Sequence, residues 1–315
     1  MTGATATMFR NSIAGLAAVG ALTLSVSSSR AIDYQPFDFV PAAPGTMMLM
    51  GYYEFETRNQ YNNTITGTAS NHTGLTSQIG IERFLYYNEF NGTPFLLENL
   101  QPFGTEYDAK INGQSLGHAS GASDLILSGT LWPISLPQQK TWVSFSDWFY
   151  APTGTYSATK ALNLGANRWQ NDIQIDWTQG YNQGFLKKWT WDVAGDWIAY
   201  GPNRDVGAAS LTLSQTATYN AYTWVSYDLT DNVRQLMPSL GPASLSMGYA
   251  GTFGGVQKVA GIRTGNETHE QQLRWTYEQF VAPKWQLLFS LNHDVSVSGQ
   301  FKDNFGFTFR LTRVF

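Results

Sequence analysis

The residues best suited to catalysis lie near the end of the chain, around His293. Ser290 could act as a nucleophile and Asp294 could orient the imidazole, as in hydrolases that pair serine with histidine. The segment alternates polar and apolar residues, and neighbouring side chains on a β-strand point to opposite faces. His293 would therefore point away from both partners. With no nucleophile elbow, phosphate loop or zinc spacing, the sequence predicts no enzyme, no cofactor and no metal.

The positions of the charged residues indicate binding rather than catalysis. Asp172 and Asp176 alternate with Ile173 and Ile175, so one face of that segment is acidic and the other apolar. In a membrane β-barrel the charged face would line the lumen, because a basic residue facing lipid at mid-depth costs about 2–4 kcal/mol. The lumen-lining candidates are Asp172, Asp176, Asp192, Asp196, Tyr222, Trp224, Arg274, Glu278, Asp294 and Arg310, and Asp124 shares this assignment.

A period of two residues dominates the chain after residue 40 and predicts β-strands. Single-chain bacterial barrels have an even number of strands. We count about twelve alternating segments, near 46–58, 74–88, 94–105, 122–132, 141–150, 170–181, 186–199, 208–228, 243–253, 268–280, 285–297 and 303–315. The sequence therefore predicts an all-β fold: a transmembrane antiparallel up-and-down barrel.

The connections alternate between short turns and long polar loops, as they do between the periplasmic and outer ends of such barrels. Loops are predicted at 58–73, 106–121, 151–169 and 254–267. Two connections depart from this pattern. The segment 229–242 is long for a periplasmic turn, and 298–302 is short for an outer loop.

The composition favours a wall that meets lipid. Charged residues make up 13% of the chain, about half of the roughly 25% usual in soluble domains. A soluble β-sandwich, the alternative fold, usually carries charge on its exposed face. Aromatic residues near segment ends instead suggest an interfacial girdle, formed by Trp142, Trp177, Trp189, Trp197 and Trp285. The pI near 5.5 argues against a nucleic-acid partner.

The first 31 residues are predicted to be a secretory signal peptide cleaved near Ala31. Arg10 precedes an apolar stretch that ends at Val26, and small residues stand at the −3 and −1 positions. The stretch is shorter than the ~20 residues of a bilayer span. Residues 32–45 would then form a periplasmic leader, either a plug in the barrel mouth or a disordered segment, and residues 46–315 the barrel.

Four short patches together resemble one protein family. They are Pro152–Tyr156, Asn163–Trp169, Tyr227–Thr230 and Leu311–Phe315, and the set is similar to the MetA-pathway of phenol degradation family. The resemblance implies an outer-membrane barrel transporter and uptake of aromatic compounds. The ending on Phe315 resembles the signal by which the outer-membrane assembly machinery recognises its clients. Each patch also has a structural interpretation as a turn or strand end.

These observations lead to a predicted function and two alternatives. The first expectation is a passive outer-membrane channel of a Gram-negative bacterium, with lipid, the assembly machinery and a small, hydrophobic or aromatic solute as partners. The alternatives are a structural or adhesive barrel with a closed lumen, and a barrel-borne lipid-modifying enzyme. If the charges only fill the lumen, Arg274 is expected to pair with Glu278, and Arg310 with Asp294.

Overall fold

Apolar and polar side chains alternate along the strands of this protein, so each strand has one apolar and one polar face. The structure is a computed structural model that describes residues 34–315, and its strands form a barrel. The strands are β1 (Met47–Asn63), β2 (Gly67–Ala69), β3 (Gly74–Phe90), β4 (Thr93–Ile111), β5 (Gln114–Ala122), β6 (Leu125–Leu136), β7 (Thr141–Ala151), β8 (Gln170–Gly180), β9 (Trp189–Tyr200), β10 (Asn203–Val206), β11 (Leu211–Gln215), β12 (Thr218–Asp228), β13 (Ala243–Gly254), β14 (Gln257–Val259), β15 (Ile262–Arg263), β16 (Thr268–Ala282), β17 (Trp285–Ser298) and β18 (Phe301–Val314). The predicted signal peptide lies outside the described residues.

Twelve strands form the wall, in the order β1, β3, β4, β6, β7, β8, β9, β12, β13, β16, β17 and β18. The wall closes because β18 pairs antiparallel with β1, from Met48 opposite Val314 to Tyr61 opposite Phe301. Closure leaves the wall without an exposed edge, so the strands satisfy one another's backbone groups. The predicted fold class and strand number are confirmed.

The two faces of the wall differ in polarity in the way a barrel in lipid requires. On β8, Asp172, Gln174 and Asp176 point inward and are buried. Ile175 and Trp177 point outward and are exposed. The outer face carries many such apolar side chains, whereas polar residues dominate the buried inner face.

The strand connections differ between the two ends of the barrel. At the end that holds the start of β1, β3 and β4 are joined by Asn91 and Gly92, whose φ angles of 50° and 78° suit a two-residue hairpin turn. This is the periplasmic end. The unusually long connection 229–242 at this end contains the helix α1 (Thr230–Leu236), and a 3-10 turn (Pro137–Gln139) precedes β7. No helix within residues 34–315 has the length and apolarity to cross a bilayer.

Two sequence predictions at the outer end were wrong. The segment 208–228 is not one long strand: it breaks at residues 216–217, and β11 pairs with β14 in a separate sheet with β10 and β15. The predicted loop 106–121 is largely a hairpin, because β4 runs on to Ile111 and pairs with β5. Outer connections in this barrel thus form additional strands beyond the wall.

Replacing Ile175 with arginine tests the lipid-facing wall. Ile175 stands at the middle of β8 and is 59% exposed on the outer face, so a charge there should cost about 2–4 kcal/mol of folding free energy. Equilibrium unfolding by urea in lipid vesicles measures this loss. Phe185→Arg is the control: Phe185 is 91% exposed in the connection to β9, and we expect a change within about 0.5 kcal/mol. Equal losses at both positions would contradict the assignment of the outer face to lipid.

Candidate functional site

The segment 34–44, called the leader from here on, lies inside the barrel. Its C-terminal end lies at the periplasmic rim, where the backbone N–H of the next residue, Gly45, donates to the carbonyl of Tyr87. Two wall tryptophans hold its backbone. The indole N–H of Trp132 donates to the carbonyl of Phe39 at 2.8 Å, and that of Trp224 donates to the carbonyl of Tyr34 at 3.1 Å.

Two rings of the leader belong to an aromatic cluster that fills the middle of the lumen. The Tyr34 ring lies 5.3 Å from Phe39 and 5.7 Å from Tyr222, distances at which aromatic pairs attract each other. Wall residues from seven strands complete the buried cluster, namely Ile81, Leu100, Ile126, Trp148, Tyr150, Ala194, Tyr222, Trp224 and Ala250. Tyr222 and Trp224 were predicted to face the lumen and lie here.

Five charged side chains, one of them Asp38 of the leader, lie close together in the lumen, and we call them the charge cluster. Asp38 accepts a hydrogen bond from Arg310 at 2.8 Å and lies 3.5 Å from Arg83. Arg83 also pairs with Glu98 at 2.5 Å. Arg310 lies 3.8 Å from Glu278. All five side chains are at most 12% exposed, so the leader adds a carboxylate to a charged site within the lumen.

The two ion pairs expected from sequence are wrong. Arg310 is opposite Leu288 in the β17–β18 register, six residues from Asp294, which is about 20 Å along a strand. Asp294 instead accepts hydrogen bonds from the Gln272 side chain at 2.8 Å and from the backbone of Asp303 at 2.6 Å. Arg274 donates to Gln272 at 2.7 Å. The partner of Arg274 is two residues away on the same strand, and those of Asp294 lie on the adjacent strands β16 and β18. Residues four apart on one strand, such as Arg274 and Glu278, are about 13 Å apart along it.

The four predicted aspartates of β8 and β9 all point into the lumen: Asp172, Asp176, Asp192 and Asp196. Three of them accept hydrogen bonds from neighbouring strands: Asp176 from Ser144 at 3.0 Å, Asp192 from Thr178 at 2.5 Å and Asp196 from Asn220 at 3.2 Å. One carboxylate oxygen of each aspartate is buried without a hydrogen-bond partner. The structure brings them together on one side of the barrel, and their role as pore-lining residues stays a prediction.

Asp124 binds the backbone of an outer loop and does not line the middle of the lumen. One of its carboxylate oxygens accepts from the backbone N–H of Gly154 and the other from that of Ala166, both at 2.9 Å. A Cβ atom on Gly154 would lie 2.6 Å from the Cα of Gly165, so both positions require glycine. These contacts support a structural interpretation of the patches 152–156 and 163–169.

The tryptophans predicted to form the girdle divide into two groups. Trp177, Trp197 and Trp285 are exposed on the outer face, and Trp189 packs edge-on against Tyr227 at 5.0 Å. Trp142 packs instead against the inner cluster that contains Trp132. Its assignment to the girdle is corrected, because on β7 the even positions 142–150 face inward.

Sequence reasoning did not identify several residues of the site. Arg83, Glu98, Trp148 and Tyr150 were not among the lumen candidates, although each occupies an inward position of its strand. The alternation Ser144, Ser146, Trp148 on β7 carried the signal for Trp148. For Arg83 and Glu98 the signal was their pairing on adjacent strands, which requires knowledge of the register.

His293 lies on the outer face, as the alternation predicted. Its Nδ1 lies 2.7 Å from the carbonyl oxygen of Asn304. Ser290 and Asp294 are buried on the opposite face, so the three side chains do not form a catalytic set. No group of three or more acidic or histidine side chains in residues 34–315 is arranged to hold a metal ion.

The sequence profile of the MetA-pathway of phenol degradation family matches residues 57–311. The chain belongs to this family. The match covers the barrel wall from within β1 to within β18. No curated protein matches the chain.

Among solved structures, this family member is similar to an outer membrane channel from Pseudomonas putida F1. The two chains are 28% identical, and the match covers 90% of this chain and all of that one with a TM-score of 0.80. The β domain of the Bordetella autotransporter BrkA matches 86% of this chain and all of its own, with 7% identity and a TM-score of 0.49. The family match and the similarity to the Pseudomonas putida F1 channel show that the protein is an outer-membrane barrel of a Gram-negative bacterium.

Replacing Trp224 with phenylalanine tests how the leader is held. The change keeps an aromatic ring but removes the hydrogen bond to the Tyr34 carbonyl, and a bond of this kind contributes about 0.5–1.5 kcal/mol. The chain has no cysteine, so Gln35→Cys gives a single thiol at a buried site. We expect Trp224→Phe to raise the rate of maleimide labelling by roughly two- to tenfold. Trp177→Phe, on the outer face, is the control, and equal rates in both variants would refute this attachment.

Proposed function

We propose that this protein is a passive channel for small hydrophobic or aromatic compounds, closed by its own leader. The observation that carries the proposal is the position of Tyr34 and Phe39, whose rings pack among wall residues in the middle of the lumen. Elsewhere the inner face is lined mainly by polar side chains. An aromatic solute that replaced these rings would pack against the wall side chains that now contact the leader.

The energies involved suit a channel rather than a tight binding protein. Conduction requires a site that is favourable enough to enter and weak enough to leave. An aromatic pair contributes about 0.5–1.5 kcal/mol beyond the burial of its area. A cluster built from Trp148, Tyr150, Tyr222 and Trp224 would therefore retain aromatic solutes briefly and release them without an energy source.

The leader can leave the lumen without breaking the ladders of the wall. The wall strands are joined by continuous backbone hydrogen bonds around the whole circumference, and breaking these within lipid is expensive. The leader is not a strand of that wall, and it is attached by separate contacts: hydrogen bonds such as those from Trp132 and Trp224, the ion pairs of Asp38 and the packing of its two rings. Its release would open the lumen and leave the wall intact.

The family and the relative from Pseudomonas putida F1 support the same function. The family is described by a pathway of phenol degradation, and the relative is an outer membrane channel. A purely structural barrel would be expected to fill its lumen from the wall alone. Here part of the filling comes from a segment outside the wall, which favours a channel.

Solute flux into liposomes tests this function. We expect the mature chain that begins at Ile32 to admit phenyl glucoside faster than methyl glucoside, although the phenyl compound is larger, because only the phenyl ring contacts the aromatic cluster. The double variant Tyr34→Ala, Phe39→Ala should admit both compounds faster. Phe145→Ala with Phe289→Ala removes two rings from the outer face and serves as the control. Rates that follow size alone, in every variant, would contradict a preference for aromatic solutes.

A further inference from the structure

Asp38 differs from the other members of the charge cluster in its origin. Arg83, Glu98, Glu278 and Arg310 belong to the wall strands β3, β4, β16 and β18, whereas Asp38 is brought in by the leader. The wall arginines keep partners of their own: Arg83 contacts Glu98 at 2.5 Å and the Tyr52 hydroxyl at 3.2 Å. The wall therefore positions Arg83 without help from the leader.

Arg310 retains hydrogen-bonding capacity when Asp38 is bound. Its NH1 group donates to Asp38 at 2.8 Å, and its NH2 group donates to Gln286 at 3.4 Å. The Nε–H group of Arg310 is buried and has no hydrogen-bond partner. A guanidinium binds a carboxylate best through two parallel N–H groups, so Arg310 makes fewer bonds to Asp38 than it could make to a free carboxylate.

Aromatic rings lie next to the carboxylate in the same segment. Asp38 is followed by Phe39, whose ring centroid lies 5.3 Å from that of Tyr34, and Tyr34 lies 5.7 Å from Tyr222 on the wall. Arg83 also lies over the ring of Trp148, with 5.8 Å between the guanidinium carbon and the ring centroid. The leader thus presents rings to the aromatic cluster and a carboxylate to two arginines.

We propose that the charge cluster and the aromatic cluster form a binding site for small aromatic carboxylates, which the leader occupies in their absence. This rests on the proposed channel function and specifies its solute. A ring joined to a carboxylate would replace both parts of the leader at once. A neutral aromatic compound would replace only the ring, and a cation would be repelled by the two arginines. Aromatic carboxylates and the leader should therefore exclude each other.

The charges around Asp38 agree with this class of solute. Without Asp38, Arg83 and Arg310 would balance Glu98 and Glu278, and the structure shows that the site accepts one carboxylate more. The entering group would take the place of Asp38 in the charge balance. No proton transfer and no covalent step are required.

Binding of benzoate to the full mature protein in detergent micelles tests the proposal, with benzamide as the neutral probe of the same size. Asp38→Asn weakens the internal competitor while keeping its shape. We expect benzoate to bind Asp38→Asn roughly ten- to a hundredfold more tightly than it binds the unaltered protein, the ratio that corresponds to one charge-assisted hydrogen bond. Benzamide should gain only to the extent that it displaces the leader, and benzoate should bind Asp38→Asn at least about tenfold more tightly than benzamide does, because only benzoate pairs with the two arginines. Equal affinities of benzoate and benzamide for Asp38→Asn would overturn the proposal.

A second substitution examines the arginine. Arg310→Gln in the Asp38→Asn protein should lower benzoate affinity by a similar factor and leave benzamide affinity unchanged. Arg313→Gln is the matched control, because Arg313 lies on the same strand next to the outer-face Trp285. Heat-modifiable migration on gels shows which variants fold. If Arg310→Gln does not fold, the ratio of benzoate to benzamide affinity in Asp38→Asn decides alone.

Flux measured on the same preparations separates the two proposals. Benzoate binding without any flux of phenyl glucoside would support the site and contradict the channel. Flux of phenyl glucoside without a preference for benzoate over benzamide in Asp38→Asn would support the channel and overturn the carboxylate site.

Discussion

The closing ladder between β1 and β18 is the interaction on which the rest of this structure depends. A strand edge in lipid would leave unpaired backbone N–H and C=O groups, each costing several kcal/mol. The register from Met48 opposite Val314 to Tyr61 opposite Phe301 removes that edge. It also sets which faces of β1 and β18 point inward, because a shift by one residue would exchange the two faces, and the other ladders of the wall do the same for their strands. The polar lumen and the apolar outer surface both follow from these registers in a wall that is closed.

A closed wall leaves the leader as the part of the barrel that can be rearranged. The leader enters from the periplasmic rim, contributes two rings to the aromatic cluster and places Asp38 between Arg83 and Arg310. Buried charges are tolerated only when they are paired, so Asp38 depends on the two wall arginines, which also have acidic partners on the wall. The proposed gating and the proposed choice of solute therefore use the same contacts.

The sequence predicts the wall well and the lumen only in part. The period of two residues specifies the twelve strands and the inward position of residues such as Asp176, because both follow from local alternation. Pairs across the lumen depend on the strand register, so Arg310 was assigned to Asp294 instead of Asp38. Trp142 was misplaced because a tryptophan near a strand end suits either face. The leader's contacts lie far apart in the sequence and carry no local pattern.

The most direct test of the central claim is conductance of a barrel whose leader can be fixed in place. Gln35 and Thr276 form a side-chain hydrogen bond at 3.2 Å, and the chain has no cysteine, so Gln35→Cys with Thr276→Cys provides two unique thiols. A short, reducible thiol cross-linker would tie the leader to the wall. The account predicts no channel openings in a planar bilayer while the link is intact and discrete openings after reduction. Openings of equal size and frequency in both states would contradict a leader that closes the lumen.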